Sequence, residues 1–193
     1  MKALSKEEID FFKNELLTKG KDIFARYGVA KTTIRELSKA AGISSGSFYM
    51  FFDSKEDLYY EIFTGEIRKF NEEYGKMMEK RDVNPAELVG TFIRNGISMI
   101  ENNQLFRTFV WEAQTHVFQK FASRTNEMKD FLIRVVKIWN DMGILIPEKP
   151  EVIAGTIRAI FFSAYHKGGI GEANYDKSMK LLIDSVARGI IKG

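Results

Sequence analysis

An all-α fold is what this sequence predicts, and three observations carry the prediction. Apolar residues recur at spacings of three and four through long windows, as amphipathic helices require, and no β-hairpin dipeptides recur at regular intervals. Only three prolines interrupt 193 residues. Helix-start patterns recur along the chain: Ser5 with Glu8, Thr33 with Glu36, Ser44, Ser54 with Asp57, and Asn84 before Pro85. With 45% hydrophobic and 28% charged residues, the chain can bury a core and keep a charged surface.

Taken in order, the first helix opens behind Ser5 and runs to about Tyr27. It turns Phe12, Leu16, Ile23, Phe24 and Tyr27 inward, and Gly28 ends it. A short second helix starts at Ile34, with Leu37, Ala40 and Ala41 as its apolar stripe. Gly42 supplies a left-handed turn and Ile43 points back into the core. Ser44 then caps a third short helix that buries Phe48 with Phe51 or Phe52. Two helices joined by so short a turn must cross steeply, which leaves the second projecting. Ser54 caps a long fourth helix, Lys55 to about Lys80, striped by Phe63, Ile67, Phe70, Tyr74 and Met77. At about 1.5 Å per residue such a helix outruns the small unit before it, so it is expected to project into the C-terminal part.

Beyond the linker Arg81-Asp82-Val83, Asn84-Pro85 opens a helix carrying Leu88, Phe92, Ile93, Ile97 and Ile100, which breaks at Asn102-Asn103. Leu105 to about Val117 follows, with Phe106, Phe109, Val110 and Ala113 inward. Next comes a helix from near Phe121 to Met142, with Met128, Leu132, Val135, Trp139 and Met142 in register. Gly143 to Pro150 is a loop. The last two helices, Glu151 to His166 and Asn174 to Ile191, are separated by Gly168-Gly169-Ile170-Gly171. Apolar residues surround the penultimate helix, and Gly155, Ala159 and Ser163 mark a groove along it. The final helix offers Met179, Leu182, Ile183, Val186 and Ile190 on one face. Little chain is left to cover this pair, so they are expected to meet their twofold copies in a four-helix bundle and make a homodimer.

The run from Thr33 to Tyr49 is a helix, a glycine turn and a second helix, the arrangement that sets one helix into a DNA groove. Its signature spans Ile23-Phe24-Ala25-Arg26-Tyr27-Gly28, Thr33, Ala41-Gly42-Ile43-Ser44, Gly46, Phe48-Tyr49, Phe52 and Ser54-Lys55-Glu56-Asp57-Leu58. In these residues the chain resembles the N-terminal domain of the TetR family of transcriptional regulators. The resemblance covers roughly the first sixty residues, and the rest matches only in helical pattern and length. It implies a helix-turn-helix DNA-binding domain at 1–54 and a ligand-sensing and dimerisation domain at 55–193. It further implies a dimer on a near-palindromic operator, acting as a repressor that a small molecule releases. Tyr49 and Lys55 would hold phosphates, and Thr33 would touch the DNA backbone.

Arg35, Ser44, Ser45, Ser47 and Met50 complete the expected DNA surface. Here the chain departs from the family, because Ser45 stands where many members have lysine or glutamine. No serine or methionine can make the bidentate base contact that supplies about 1–3 kcal/mol of discrimination. Arg35 can either read guanine or hold a phosphate, and sequence choice is expected to rest on Arg35, on Met50 against a thymine methyl, and on DNA shape. Charge alone decides little: the net charge is +3, although Lys31, Arg35, Lys39 and Lys55 lie around the two short helices.

Sixteen phenylalanines are many for a bundle of this size, and rigid rings can leave a cavity for an apolar or aromatic small molecule. Phe63, Phe70, Phe92, Phe106, Phe109, Trp139 and Phe162 are the candidates to line it, although any single ring serves equally as plain core. Glu112 and His116 would be its polar contacts, with His166 nearby. Glu112 and His116 share a helical face but have no third partner, so neither a metal nor a cofactor is expected. Two histidines and scattered acids form no nucleophile–base pair, so no enzymatic activity is expected. The rival reading is a helical protein-interaction module or ligand-binding protein without sequence-specific DNA binding, in which Tyr49, Met50 and Phe51 touch protein. Absence of cysteine excludes disulfides and thiolate metal sites. With no secretion signal at Met1-Lys2-Ala3-Leu4-Ser5 and no run of about 20 apolar residues, a cytoplasmic location is expected.

Overall fold

Side chains close in sequence to the backbone they cap fix five of the helix starts. The computed structural model describes residues 5–78, 84–107 and 125–192. Helix α1 (Lys6–Lys31) opens on a reciprocal box: Ser5 Oγ accepts from the Glu8 amide at 3.2 Å, and the Glu8 carboxylate accepts from the Ser5 amide at 2.7 Å. Thr33 and Glu36 repeat the box at α2 (Ile34–Ala40). Ser44 caps α3 (Ser45–Phe48), and Ser54 Oγ accepts from the Asp57 amide at 3.1 Å where α4 (Lys55–Met78) begins. Asn84 Oδ1 accepts from the amides of Ala86 and Glu87 ahead of α5 (Pro85–Asn102). Then come α6 (Thr125–Asp141), α7 (Pro150–Ala164), the one-turn α8 (Lys167–Ile170) and α9 (Tyr175–Gly189). Residues 104–107 are helical as well. The fold is all-α: among the described residues the strand-like pairing is an isolated antiparallel bridge between Leu145 and Ile191, which straps the C-terminal end to the loop after α6.

Packing groups the chain into two compact units, Met1–Glu73 with Asn103–Val117, and Tyr74–Asn102 with Phe118–Gly193. Residues 5–54 lie wholly within the first. In that unit Leu16, Phe24, Leu37, Phe48, Leu58, Tyr59 and Phe63 are fully buried. Gly20 lets α1 approach α4 closely, since a Cβ there would lie 3.1 Å from Ile62 Cδ1 and 3.2 Å from Leu58 Cδ2. Two contacts dock residues 103–107 on α4. The Tyr59 hydroxyl donates to the Leu105 carbonyl at 3.0 Å, and Asn103 Nδ2 donates to the Glu66 carboxylate at 3.2 Å. Tyr27, expected inward, is 56% exposed. The buried positions of α1 are Leu16, Gly20, Phe24, Gly28 and Val29, and Tyr27 sits at the end of the regular helix, directly before the break at Gly28. Gly28, at φ 76° and ψ 168°, breaks the helix as expected, with a separate turn to Lys31.

In the second unit α5 is central, packing against both α7 and α9. Its buried residues run most of the way round: Leu88, Val89, Gly90, Phe92, Ile93, Gly96, Ile97 and Ile100. At Gly96 a Cβ would lie 2.5 Å from Phe161 Cζ, so only hydrogen there admits the α7 ring. Helix α6 contributes Leu132, Val135, Val136 and Trp139 to the core. Met142, expected in register with them, is 49% exposed, because α6 ends at Asp141 and Gly143 (φ 72°) turns the chain. Helix α9 buries Tyr175, Met179, Ile183 and Ala187, which leaves Leu182 exposed and Val186 half-buried rather than inward. Ala187 sets this rotation by facing Gly90, where a Cβ would lie 3.7 Å from its own. The expected linker at 81–83, the side chain of Met128, and Phe109, Val110 and Ala113 lie outside the described residues.

Candidate nucleic-acid interface

Helices α2 and α3 cross because the chain between them turns on one left-handed residue. Gly42 sits at φ 73°, and the Ile43 amide donates to the Ser38 carbonyl at 2.9 Å, closing the end of α2. Helix α3 is a single turn, continued by a bend in which the amides of Phe51 and Phe52 donate to the Phe48 carbonyl at 3.0 and 3.1 Å. Phe48 and Phe52, their rings 6.0 Å apart, anchor this segment from within. The same turn throws Tyr49 and Met50 outward, at 58% and 60% exposure. Phe51 is half-buried. Ser45 and Gly46 are exposed on α3, and Arg35 and Lys39 on α2.

Four of the eight expected DNA contacts have side chains already engaged within the unit. The Thr33 hydroxyl accepts from the Glu36 amide at 3.2 Å and donates to the Glu36 carboxylate at 2.8 Å. Hydrogen bonds from the Thr33 side chain and then its backbone hold the Glu36 carboxyl below the usual range, so a negative charge stands beside Thr33. Ser44 and Ser47 hydroxyls bond each other at 2.8 Å, and the Ser47 amide donates to Ser44 Oγ at 3.1 Å. Lys55 Nζ donates to the carbonyls of Val29 and Thr32, each at 2.7 Å, and of Ala30 at 3.3 Å. Arg35, Ser45, Tyr49 and Met50 are exposed, as are Thr33 and Ser44 despite their cap bonds, while Ser47 and Lys55 are half-buried. The partners of Lys55 lie far back in the chain, and no local pattern announces them.

The expected ligand-lining residues fall in several places. In the first unit the rings of Phe63 and Phe106 pack 4.6 Å apart, both buried, and Phe70 is half-buried. In the second, Phe92 meets Trp139 edge to face at 5.3 Å and Tyr74 at 4.8 Å. Trp139 Nε1 donates to the Tyr74 hydroxyl at 3.2 Å, and that hydroxyl donates to the Leu88 carbonyl at 3.4 Å. Burial raises the Tyr74 phenol well above its ordinary pKa, against the opposing Trp139 hydrogen bond, so it stays a neutral donor. This polar junction inside an aromatic core was not foreseen from the sequence. Phe162 is 53% exposed and does not belong to that interior. Phe109, Glu112 and His116 lie outside the described residues, and His166 is exposed. Among the described residues no cluster of three or more histidines or acids is placed to hold a metal.

Phe162 is instead one of several apolar residues exposed on α7 and α9. Val152, Ala159 and Phe162 on α7 are exposed, as are Leu181 and Leu182 on α9, and the space around Gly155 is open within 4 Å. Ser163, expected in that groove, turns toward α9: its Oγ donates to the Ile160 carbonyl at 2.6 Å and lies 3.4 Å from Met179 Sδ.

A family profile described as bacterial regulatory proteins, tetR family, matches residues 16–62. Over 67 residues the chain is 42% identical to the HTH-type transcriptional repressor KstR2 of Rhodococcus jostii, covering 35% of this chain and 31% of that protein. Over 119 residues it is 28% identical to KstR2 of Mycolicibacterium smegmatis, covering 62% of this chain and 54% of that protein. The matches thus span from under a third to just over half of these relatives' lengths. Among solved structures, the fatty acid degradation regulator FadR of Bacillus halodurans superposes with a TM-score of 0.66 at 14% identity, covering 100% of this chain and 98% of that one. At that identity the likeness concerns the fold alone. No helix of the described residues is long and apolar enough to cross a membrane.

Proposed function

We propose, from the premise that the chain belongs to the TetR family of bacterial regulatory proteins, that it is a ligand-released transcriptional repressor working as a dimer on duplex DNA in the cytoplasm. One observation carries the DNA-binding reading. Tyr49 and Met50 stand exposed on a turn whose neighbours Phe48 and Phe52 are buried, and Arg35 and Lys39 are exposed on α2, which packs against α3. Aromatic and apolar side chains held out by buried anchors, with cations next to them, suit a groove lined by phosphates and thymine methyls. Tyr49 holds a phosphate, Met50 packs on a thymine methyl, and Arg35 reads guanine; Ser45 contributes only permissive hydrogen bonds. Thr33, Ser44 and Ser47 serve chiefly by fixing α2 and α3, since their hydroxyls are engaged in caps. The direct test is duplex affinity against salt. Counterion release gives a linear fall of log K with log salt, of slope about −0.9 per phosphate held. A flat response would favour the protein-contact reading instead.

The outward face of Val152, Gly155, Ala159, Phe162, Leu181 and Leu182 supports dimerisation through α7 and α9. Helical backbones approach closely at Gly155 and Ala159, and exposed leucines on the neighbouring helix favour burial against a twofold copy. Two recognition segments then face one side of the duplex, separated by one helical turn of about 34 Å or a small multiple. The effector is an apolar or aromatic small molecule taken into the second unit, where Tyr74, Phe92 and Trp139 gather around a buried hydroxyl. FadR, a fold neighbour, is named for fatty acid degradation, which agrees with an apolar effector. Helix α4 is the transmitting element, because it is one continuous helix whose residues 55–73 belong to the first unit and 74–78 to the second. A coupling of about 1–3 kcal/mol between effector and DNA makes a useful switch.

A further inference from the structure

We infer that Glu36 tempers the grip on DNA: its carboxylate holds the Thr33 hydroxyl and sets a negative charge beside the place where a backbone phosphate is taken. The duplex is then bound less tightly than the surrounding cations allow. The inference deepens the DNA-binding reading and rests on it.

Three hydrogen bonds tie the two residues together. The Glu36 amide donates to Thr33 Oγ1 at 3.2 Å, and Glu36 Oε2 accepts from both the Thr33 amide and the Thr33 hydroxyl, each at 2.8 Å. A capping box needs only amide to hydroxyl and amide to carboxylate. The third bond uses the one proton a hydroxyl can donate, so Thr33 has none to give a phosphate while Glu36 holds it. Any other oxygen that takes this proton sits within two hydrogen-bond lengths of the carboxylate, about 6 Å at most.

Charge acts in the same direction. Glu36 is exposed, and hydrogen bonds from the Thr33 side chain and then its backbone hold the carboxyl below the usual range, so it is ionised at neutral pH. The charge of Lys55 makes a smaller contribution to that lowering. Lys55 Nζ is itself held on the Thr32 carbonyl at 2.7 Å, one residue before Thr33. Cation and carboxylate therefore flank Thr33, and a phosphate drawn by the one is pushed away by the other. At about 6 Å in water, two like charges oppose binding by roughly threefold, and by more where an approaching duplex displaces water. Phosphates carry no sequence, so the effect falls on every duplex alike.

Glu36→Gln separates this role from capping, because glutamine closes a capping box as glutamate does but carries no charge. Two mixed-sequence duplexes of unrelated sequence are the probes, with affinity measured over a salt series and folding checked by urea denaturation. The variant should bind both duplexes more tightly by the same factor, about threefold to tenfold at low salt, with a steeper salt slope than the wild type. Unchanged or weakened affinity in the folded variant overturns the inference and leaves Glu36 a cap alone. A gain on one duplex only overturns it as well, since that would report a base contact. Glu36→Asp keeps the charge and should show no gain; a gain matching that of Glu36→Gln would trace the effect to a loosened cap and overturn the inference. Should Glu36→Gln not fold, Glu36→Ala carries the same readouts. A wild type without salt-dependent duplex binding sinks the DNA reading and the inference together, whereas a steep wild-type slope with no gain in Glu36→Gln sinks the inference alone.

Discussion

Replacing Leu181 by aspartate is expected to dissociate the dimer while leaving the protomer folded. Leu181 is 68% exposed, Phe162 53%, Val152 50% and Leu182 40%. Complete burial of such side chains stabilises by roughly 1.5–3 kcal/mol each, so covering the exposed part contributes about 1 kcal/mol per residue. Over both protomers that sums to about 8 kcal/mol, within the range of about 4–15 kcal/mol that association costs, so the face is needed rather than redundant. Removing both copies of Leu181 forfeits about 2 kcal/mol, or about thirtyfold in the dimer dissociation constant. Two buried carboxylates would add to that. In the isolated protomer the same position faces water, and the change should stay within about 0.5 kcal/mol. Sedimentation velocity over a concentration series measures the first quantity, and helical circular dichroism with urea denaturation measures the second. An unchanged dissociation constant in a folded variant would refute the assignment of this face.

Other outcomes follow from single contacts. Gly96→Ala gains about 1 kcal/mol of helix propensity but drives a methyl into the Phe161 ring at a cost of about 1–3 kcal/mol, so urea denaturation should show a small net loss. In a Phe161→Ala background the same substitution should turn stabilising, and equal effects in both backgrounds would contradict the packing described. Burial alone would raise the Glu66 carboxyl, but hydrogen bonds and charge from Lys21 and Lys69 outweigh it and hold the group below the ordinary glutamate value. A lowered folded pKa contributes stability above the unfolded value, near about 4.3, that is lost as pH falls through the folded value. Wild type should therefore lose more stability on acidification than Glu66→Gln, and parallel curves would remove the ion pairs from the account. Arg35→Ala should weaken binding to duplexes carrying the preferred guanine by about 1–3 kcal/mol while leaving variants at that position nearly unaffected. A uniform loss across sequences would make Arg35 a phosphate contact.

Locally determined features were the legible ones. The caps at Ser5, Thr33, Ser44, Ser54 and Asn84 each involve residues within three positions, and each appears where the sequence places it. The left-handed turns at Gly28 and Gly42 were legible for the same reason. Rotations of a helix about its axis were less so. Leu182 lies one step from a buried stripe, and which step is buried depends on a partner helix, since Gly90 faces Ala187 of α9. Tyr27 lies at an inward angle but at the end of the helix, just before the Gly28 break. The site divides similarly. Exposure of Tyr49 and Met50 follows from the shortness of α3, whereas the Lys55 carbonyl contacts join residues up to 26 positions apart and carry no periodic signal. The Trp139–Tyr74 hydrogen bond, 65 positions apart, was hidden in the same way.

Selecting a duplex from a random pool with the purified protein, then footprinting it with hydroxyl radicals, tests the central claim most directly. Two protected segments on one face of the helix, about one turn or a small multiple apart and both lost with Tyr49→Ala, are the expected result. A single protected segment, or a paired footprint indifferent to Tyr49, would contradict it.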